Sequence, residues 1–261
     1  MRNKVAKPRQ HIGILMPRPY TRQSVKVIAI IPAAGLGTRM AGSRSKQFLS
    51  LGGEPVLMRT LKRLLAVERV TSAIIALRPS EMETVEQWLR GAALSGRVQL
   101  VEGGERRQDS VVNALRAVHA DADDIVLVHD AVRPLVEGQS VEACIAAVER
   151  HGAAIVGLPA VDTVKQVERT ADGALISSTI PRERVVMAQT PQGFRFRILQ
   201  AALQQATADG FLGTDEASVV ERAGYDVAVV MGSRENFKIT NAGDLELAEY
   251  YLARQERPDC E

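Results

Sequence analysis

The chain has 261 residues, enough for one large α/β domain or two small ones, and 46% apolar with 25% charged residues is the balance of an ordinary soluble globular protein. No apolar run approaches the roughly eighteen residues of a membrane span, and two cysteines, Cys144 and Cys260, are too few for a disulfide framework and match no zinc spacing. Residues 1–24 carry six Lys/Arg and no acid, so setting those six aside turns the net charge of +2 into about −4 for the rest. A mildly acidic body argues against a nucleic-acid partner, whose binder would carry its cations on the folded surface. Both thiols are expected to be free in a reducing compartment, the cytoplasm.

In chain order, residues 1–24 read as a basic, flexible extension. Pro17 and Pro19 break its only apolar patch, so it resembles neither a secretory signal nor a membrane anchor; a short organelle transit peptide is the alternative, against which its scarcity of serine counts. From residue 25 to about 257 one domain is expected. Apolar runs of strand length, "VKVIAIIPA", "TSAIIAL", "VQLVEGG", "DIVLVHD" and "AAIVGLPA", alternate with amphipathic stretches such as "VLMRTLKRLLAVE", "DSVVNALRAVHA" and "SVEACIAAVERHG". Unbroken hydrophobicity in the strands suits a sheet covered on both faces, and the β-α-β rhythm implies mostly parallel strands with right-handed crossovers. Trp88 and Tyr250 with Tyr251 read as packing residues of amphipathic helices.

Residues 160–185 depart from this rhythm. "AVDTVKQVERTADGALISSTIPRE" alternates polar and apolar residues around "ADG", the pattern of a β-hairpin. A hairpin projecting from a sheet suits dimerisation or cover for a neighbour's site; an edge ribbon without a partner is the plainer alternative. "RFRILQAALQQATADG", "TDEASVVERAG", the strand-like "YDVAVVM" and a last helix "AGDLELAEYYLARQE" follow, with no repeat or linker to mark a second domain.

Ligands of such sheets gather at the carboxyl ends of the strands. After the first strand comes "PAAGLGTRM". It is no P-loop, since G-x-x-x-x-G-K-[ST] is absent, and no dinucleotide fingerprint, since Met40 stands where the third glycine belongs. A structural turn and a phosphate cradle both remain, and three features favour the cradle. Glycines let backbone N–H groups approach an anion closely; Arg39 and Lys46 add mobile cations; and the first acid of the chain is Glu54, beyond the loop. "IVLVHD" ends in Asp130, which by itself reads as a helix cap. Beside a phosphate loop it is also where a Mg²⁺ ion would bridge protein and phosphates. His129, one residue earlier, should face away and is assigned no chemistry.

Taken together, "PAAGLGTRM…KQFL", "EGGERRQDSV", "VHDAVRP", "DTVK", "TPQGF", "TDEAS" and "NFKITNAGDLELAE" resemble the blocks of the 2-C-methyl-D-erythritol 4-phosphate cytidylyltransferases of the non-mevalonate isoprenoid pathway, in that family's order and over roughly residues 25–255. The resemblance implies a Rossmann-like nucleotidyltransferase domain with a projecting hairpin arm. It implies CMP transfer from CTP to 2-C-methyl-D-erythritol 4-phosphate with Mg²⁺, giving 4-diphosphocytidyl-2-C-methyl-D-erythritol and pyrophosphate. Carried over residue by residue, Arg39, Lys46, Arg182 and Lys238 would be catalytic. Pro32, Ala33, Ala34, Gly35, Gly37, Gly104, Glu105, Ser110, Asp130, Ala131 and Arg133 would surround the nucleotide, with Asp130 also at the metal. Thr163, Arg182, Thr190, Thr214 and Lys238 would serve the acceptor, some of them across a homodimer joined by the hairpin.

Two departures stand out. Ser45 precedes Lys46 where proline is common, which should loosen the loop slightly, and Glu105 replaces a familiar aspartate. Three other functions compete. A cytidylyltransferase for another polyol phosphate, such as ribitol 5-phosphate, would share the nucleotide half and differ around Thr163, Lys165, Arg182 and Lys238. A sugar-1-phosphate nucleotidyltransferase fits "GGERRQDSV" poorly. A non-catalytic nucleotide-binding regulator would be expected to have lost Arg39, Lys46 or Asp130, and all three are present.

Overall fold

The computed structural model describes residues 25–35 and 45–255. The basic extension, Gly37, Arg39 and Cys260 lie outside the described residues. Seven strands form the main sheet: β1 (Val27–Pro32), β4 (Val70–Leu77), β5 (Val98–Glu102), β6 (Ile125–Val128), β7 (Ala153–Pro159), β10 (Val186–Arg195) and β11 (Ala228–Met231). Their order across the sheet is β11-β7-β10-β6-β1-β4-β5, and every pairing is parallel except the two made by β10. Strands β2 (Ser50–Leu51) and β3 (Glu54–Pro55) make a small ribbon beside it.

Successive residues of the strands point to opposite faces, and each face has its own helices. Val27, Ala29 and Ile31 of β1 join a core with α1 (Val56–Leu65), α2 (Pro79–Gly91) and α4 (Gly138–His151). Ile28 and Ile30 join a second core with α3 (Arg107–Arg116), α5 (Phe196–Ala208) and α6 (Glu216–Arg222). Leu51, Val56, Leu135 and Ile239 bury the last helix, α7 (Ala242–Gln255), through Ala248 and Leu252. Local signals set the helix ends. Pro79 opens α2 at a position with no amide to lose. Gly152 closes α4 with φ +88°, a left-handed conformation that favours glycine, and its N–H donates to the Val148 carbonyl.

The hairpin appears as expected, with β8 (Val164–Thr170) and β9 (Gly173–Ile180) antiparallel around Ala171 and Asp172. Two expectations need amending. The sequence pattern gave no strand between the hairpin and α5, yet β10 lies there, antiparallel between β6 and β7. Pro191 hides it, because proline inside a central strand removes a ladder donor. Here Pro191 falls where pairing with β7 is irregular, between Ala188 and Gln192. Tyr250 is 63% exposed rather than packed, with its ring edge-on to Tyr251. Trp88 does pack on the core, tilted against Phe48 at 5.5 Å.

Candidate active site

The chain lays down β1, β4 and β5 in one direction, then returns to put β6 on the other side of β1. At that reversal the connections after β1 and β6 part, which opens a crevice beyond the carboxyl ends of the strands. A cavity of about 310 Å³ occupies this place. Pro32, Ala33, Ala34 and Gly35 line it from the end of β1 and the loop after it, Gly104, Glu105 and Arg106 from the β5–α3 turn with Arg107 and Ser110 from the first turn of α3, and Asp130 and Ala131 from the loop after β6. Lys46, Lys238 and Thr240 complete the wall.

Each wall is braced from behind. The Ala33 N–H donates to the Ala76 carbonyl at 2.8 Å, and buried Gln47 donates to the Ala33 carbonyl at 2.6 Å. Lys46 is itself largely buried, and its ammonium donates to the Thr240 carbonyl. Thr240 is in turn fixed by Asp244, whose carboxylate accepts from its N–H and hydroxyl at the start of α7. Burial would raise the Asp244 pKa, but these donors hold it below the usual range.

The β5–α3 turn needs its glycines. A Cβ on Gly103 would sit 2.4 Å from the Ala34 Cβ, and one on Gly104 2.3 Å from the Asp109 Cβ. Those approaches let the turn close over the β1 loop. The Ser110 hydroxyl accepts from the Gly104 N–H at 3.1 Å and donates to the Arg106 carbonyl, so it shapes the turn from inside.

Asp130 lies at the centre of the charge. Its Oδ1 takes Arg107 Nε at 3.2 Å, and its Oδ2 takes Arg133 Nε at 3.3 Å and Lys238 Nζ at 3.2 Å. Burial alone would raise its pKa, but the three cations outweigh it and hold the carboxyl well below the usual carboxylate range. Burial also lowers the Arg133 pKa, against the pull of Asp130. Its Nη1 donates to the Asn236 carbonyl at 2.7 Å. The Asp130 N–H donates to the Thr190 hydroxyl at 3.0 Å, and Thr190 meets His129 Nδ1 at 3.0 Å. His129 Nε2 lies 3.2 Å from the Arg133 carbonyl. Burial lowers the His129 pKa to about 4, which leaves a neutral ring that ties Thr190 to Arg133.

The structure therefore gathers every described residue of the expected nucleotide site at one crevice, with Arg133 just behind Asp130. Thr190 is buried beneath Asp130 with its hydroxyl engaged. Thr163 and Arg182 are exposed at the base of the hairpin, where Arg182 donates to the Val161 carbonyl at 2.9 Å. Thr214 is exposed in the loop before α6. None of these four lines the cavity of their own chain.

A sequence profile of the 2-C-methyl-D-erythritol 4-phosphate cytidylyltransferases matches residues 27–254. The chain belongs to this family. It is similar to the cytidylyltransferase of that name from Acidobacterium capsulatum, at 58% identity over 88% of this chain and 99% of the relative. The one from Solibacter usitatus is 47% identical over 88% and 97%. Among solved structures, the Thermus thermophilus cytidylyltransferase superposes with a TM-score of 0.68 at 35% identity, covering 88% of this chain and 98% of that one. The 4-diphosphocytidyl-2C-methyl-D-erythritol synthase from Anaerococcus prevotii gives 0.76 at 29% identity, over 88% and 97%.

Some residues that line or brace this crevice escaped the sequence. Arg107 sits inside the "GGERRQDSV" block, but nothing in a run of two arginines says which one turns inward. Gln47 and Glu216 are assigned nothing within their blocks, and both are buried. Ser45 bears on the loosening expected where proline is missing. Its φ is −64°, the value proline would impose, and its hydroxyl accepts from Arg78 at 2.6 Å, which restrains the segment by another route.

Proposed function

We propose that this chain transfers CMP from CTP to 2-C-methyl-D-erythritol 4-phosphate, giving 4-diphosphocytidyl-2-C-methyl-D-erythritol and pyrophosphate for isoprenoid precursors. One observation carries the reading beyond family membership. Lys46, Arg106, Arg107, Lys238 and the ionised Asp130 all line one crevice at the strand reversal, beside a Gly103–Gly104 turn with no room for side chains. Such a site suits a polyphosphate.

In this reaction an acceptor phosphate oxygen bonds to the α-phosphorus of CTP as the bond from that phosphorus to the β-bridging oxygen breaks. Pyrophosphate leaves from the opposite side. Little covalent chemistry is asked of the protein, so positioning and charge stabilisation supply the acceleration. Lys46 is pre-aimed by the Thr240 carbonyl and would meet charge building on the phosphates. Arg39 would add a second cation from the β1 loop. Lys238, the most exposed partner of Asp130, is free to leave it for an acceptor phosphate. Ala33, Ala34, Gly104 and Glu105 would frame the base and ribose.

Asp130 is the carboxylate that would hold a divalent cation such as Mg²⁺. A single ionised carboxylate joined by substrate phosphates is a common Mg²⁺ donor set, so the residues present fit. When bound, the cation would draw charge from the phosphates. A homodimer is part of the same proposal. Leu175, Ile176 and Val167 are 67%, 64% and 47% exposed on a hairpin that pairs with itself, the kind of apolar surface that marks an interface. A second copy there would bring Thr163 and Arg182 to its neighbour's acceptor side. Free, buried Cys144 agrees with a reducing cytoplasm, and no helix among the described residues is long and apolar enough to cross a membrane.

The test is pyrophosphate release with CTP and Mg²⁺ against 2-C-methyl-D-erythritol 4-phosphate, ribitol 5-phosphate and no acceptor. Release with the first alone supports the reading, and Lys46→Ala should then abolish turnover more than CTP binding. Release with ribitol 5-phosphate instead would move the chain to another polyol. A monomeric mass at assay concentration would count against the shared site.

A further inference from the structure

Glu216 is the most deeply buried carboxylate near the crevice, at 2% exposure, although it begins a seven-residue helix at the surface. Helix capping does not explain it. Asp215 already caps α6, accepting from the Ser218 N–H at 2.9 Å. Nor does anchorage of the helix, because Gln192 holds it from β10. The Gln192 side chain donates to Asp215 at 2.7 Å and accepts from the Ala217 N–H at 3.0 Å. Burying a carboxylate is expensive unless it is paired with good geometry. Glu216 has that pair in Arg107, whose Nη1 reaches both its oxygens at 2.6 and 2.8 Å.

That grip decides how Arg107 meets the site. With Nη1 taken by Glu216, the Nε edge faces Asp130 Oδ1 at 3.2 Å. A guanidinium is a rigid planar fork, so fixing one edge fixes the other. The neighbouring Gln108 closes the same seam, donating to the Phe211 carbonyl at 3.0 Å and accepting from the Gly213 N–H at 2.9 Å. The start of α3 is thus fastened along the loop that leads into α6. Arg107, Arg133 and Lys238 against Asp130 alone would leave three cations on one anion, and Glu216 supplies the second.

We propose that Glu216 is a positioning residue, which acts through Arg107 to hold the Asp130 carboxylate in place for the nucleotide. This rests on the proposed reaction only in naming CTP as the ligand. The test uses the full chain and compares Glu216→Gln, Arg107→Met and the double variant Arg107→Met with Glu216→Met, which replaces the pair by apolar side chains of similar length. CTP affinity is read by calorimetric titration and turnover by pyrophosphate release.

CTP should bind about tenfold more weakly to Glu216→Gln, the scale of a lost charge-assisted hydrogen bond. Arg107→Met should lose a similar factor, and the double variant no more than Arg107→Met alone, because the carboxylate works through the guanidinium. A merely structural Glu216 would lower the melting temperature and leave CTP affinity near that of the wild type. That result would overturn the proposal. Should Glu216→Gln fail to fold, the double variant, which leaves no buried charge unpaired, is compared with the wild type, and wild-type CTP affinity there would refute the proposal. A wild type that binds CTP but releases no pyrophosphate with any acceptor would sink the transfer reading alone, since the titrations would still read the role of Glu216.

Discussion

Asp130→Asn changes one oxygen to an amide in the middle of the site, and the structure says how much stability that should remove. The side chain is 10% exposed and receives three cations. Arg107 keeps Glu216, and Arg133 keeps the Asn236 carbonyl, so neither is stranded. Each loses one charge-assisted hydrogen bond of about 1.5 kcal/mol. Lys238, 44% exposed, returns to water and contributes less than about 1 kcal/mol. Relief from burying a carboxylate offsets part of this, leaving a net loss of about 2–3 kcal/mol. For a chain of this size that corresponds to a fall of roughly 5–10 °C in melting temperature. The pH dependence has a definite sign. The folded pKa of Asp130 lies below its unfolded value of about 3.9, so its contribution is complete above that value and is lost only as pH falls further. Scanning calorimetry at pH 5, 6.5 and 8 should therefore find the same gap between wild type and variant. An Asp130→Asn protein as stable as the wild type, or a gap that is smaller at pH 8 than at pH 5, would mean that burial outweighs the three cations and the reasoning is wrong.

Three further predictions follow from the walls of the crevice. His129 has a folded pKa of about 4 against about 6.5 when unfolded, so the unfolded chain alone takes up the proton in between, and stability should fall by roughly 3 kcal/mol from pH 7 to pH 4. His129→Gln should lose that part of the slope in urea melts, and an unchanged slope would refute the assignment. Gly104→Ala should cost about 1–3 kcal/mol and weaken CTP binding, since its Cβ would press on Asp109 at the start of α3; titration calorimetry that finds wild-type affinity would contradict the need for a bare backbone there. Ser45→Pro should match the wild type within about 1 kcal/mol, because φ already suits proline and the lost Arg78 contact is offset by a stiffer unfolded chain. A Ser45→Pro protein that melts well below Ser45→Ala would count against that view of the Lys46 segment.

The residues that were legible in the sequence share a property: their signals are local. β1, β4 and β6 announce themselves as short apolar runs because helices cover both faces of the sheet. The turn glycines and Asp130 were found because parallel strands put chemistry at their carboxyl ends, so position along the chain was enough to locate them. β10 failed for an equally local reason. Pro191, Gln189 and Gln192 look wrong for a central strand, and only the partners at Ser233, Asn236, Asp215 and Ala217 make those polar groups acceptable inside.

Glu216 shows where such reading stops. In "TDEASVVERAG" a glutamate in the first turn of an amphipathic helix suits the helix dipole and reads as solvated. Its burial is fixed by Arg107, which lies 109 residues earlier. No periodicity, cap or spacing joins the two. The link exists because α3 and α6 pack on the same face of the sheet, so the pair becomes visible only once both crossovers are in place. Lys46 is a similar case: its cationic role could be expected from the β1 loop, but its aim comes from the Thr240 carbonyl, 194 residues further along the chain. A phosphate-handling crevice of this kind can thus be located from short motifs, while the orientation of its charges depends on contacts that only the assembled layers create.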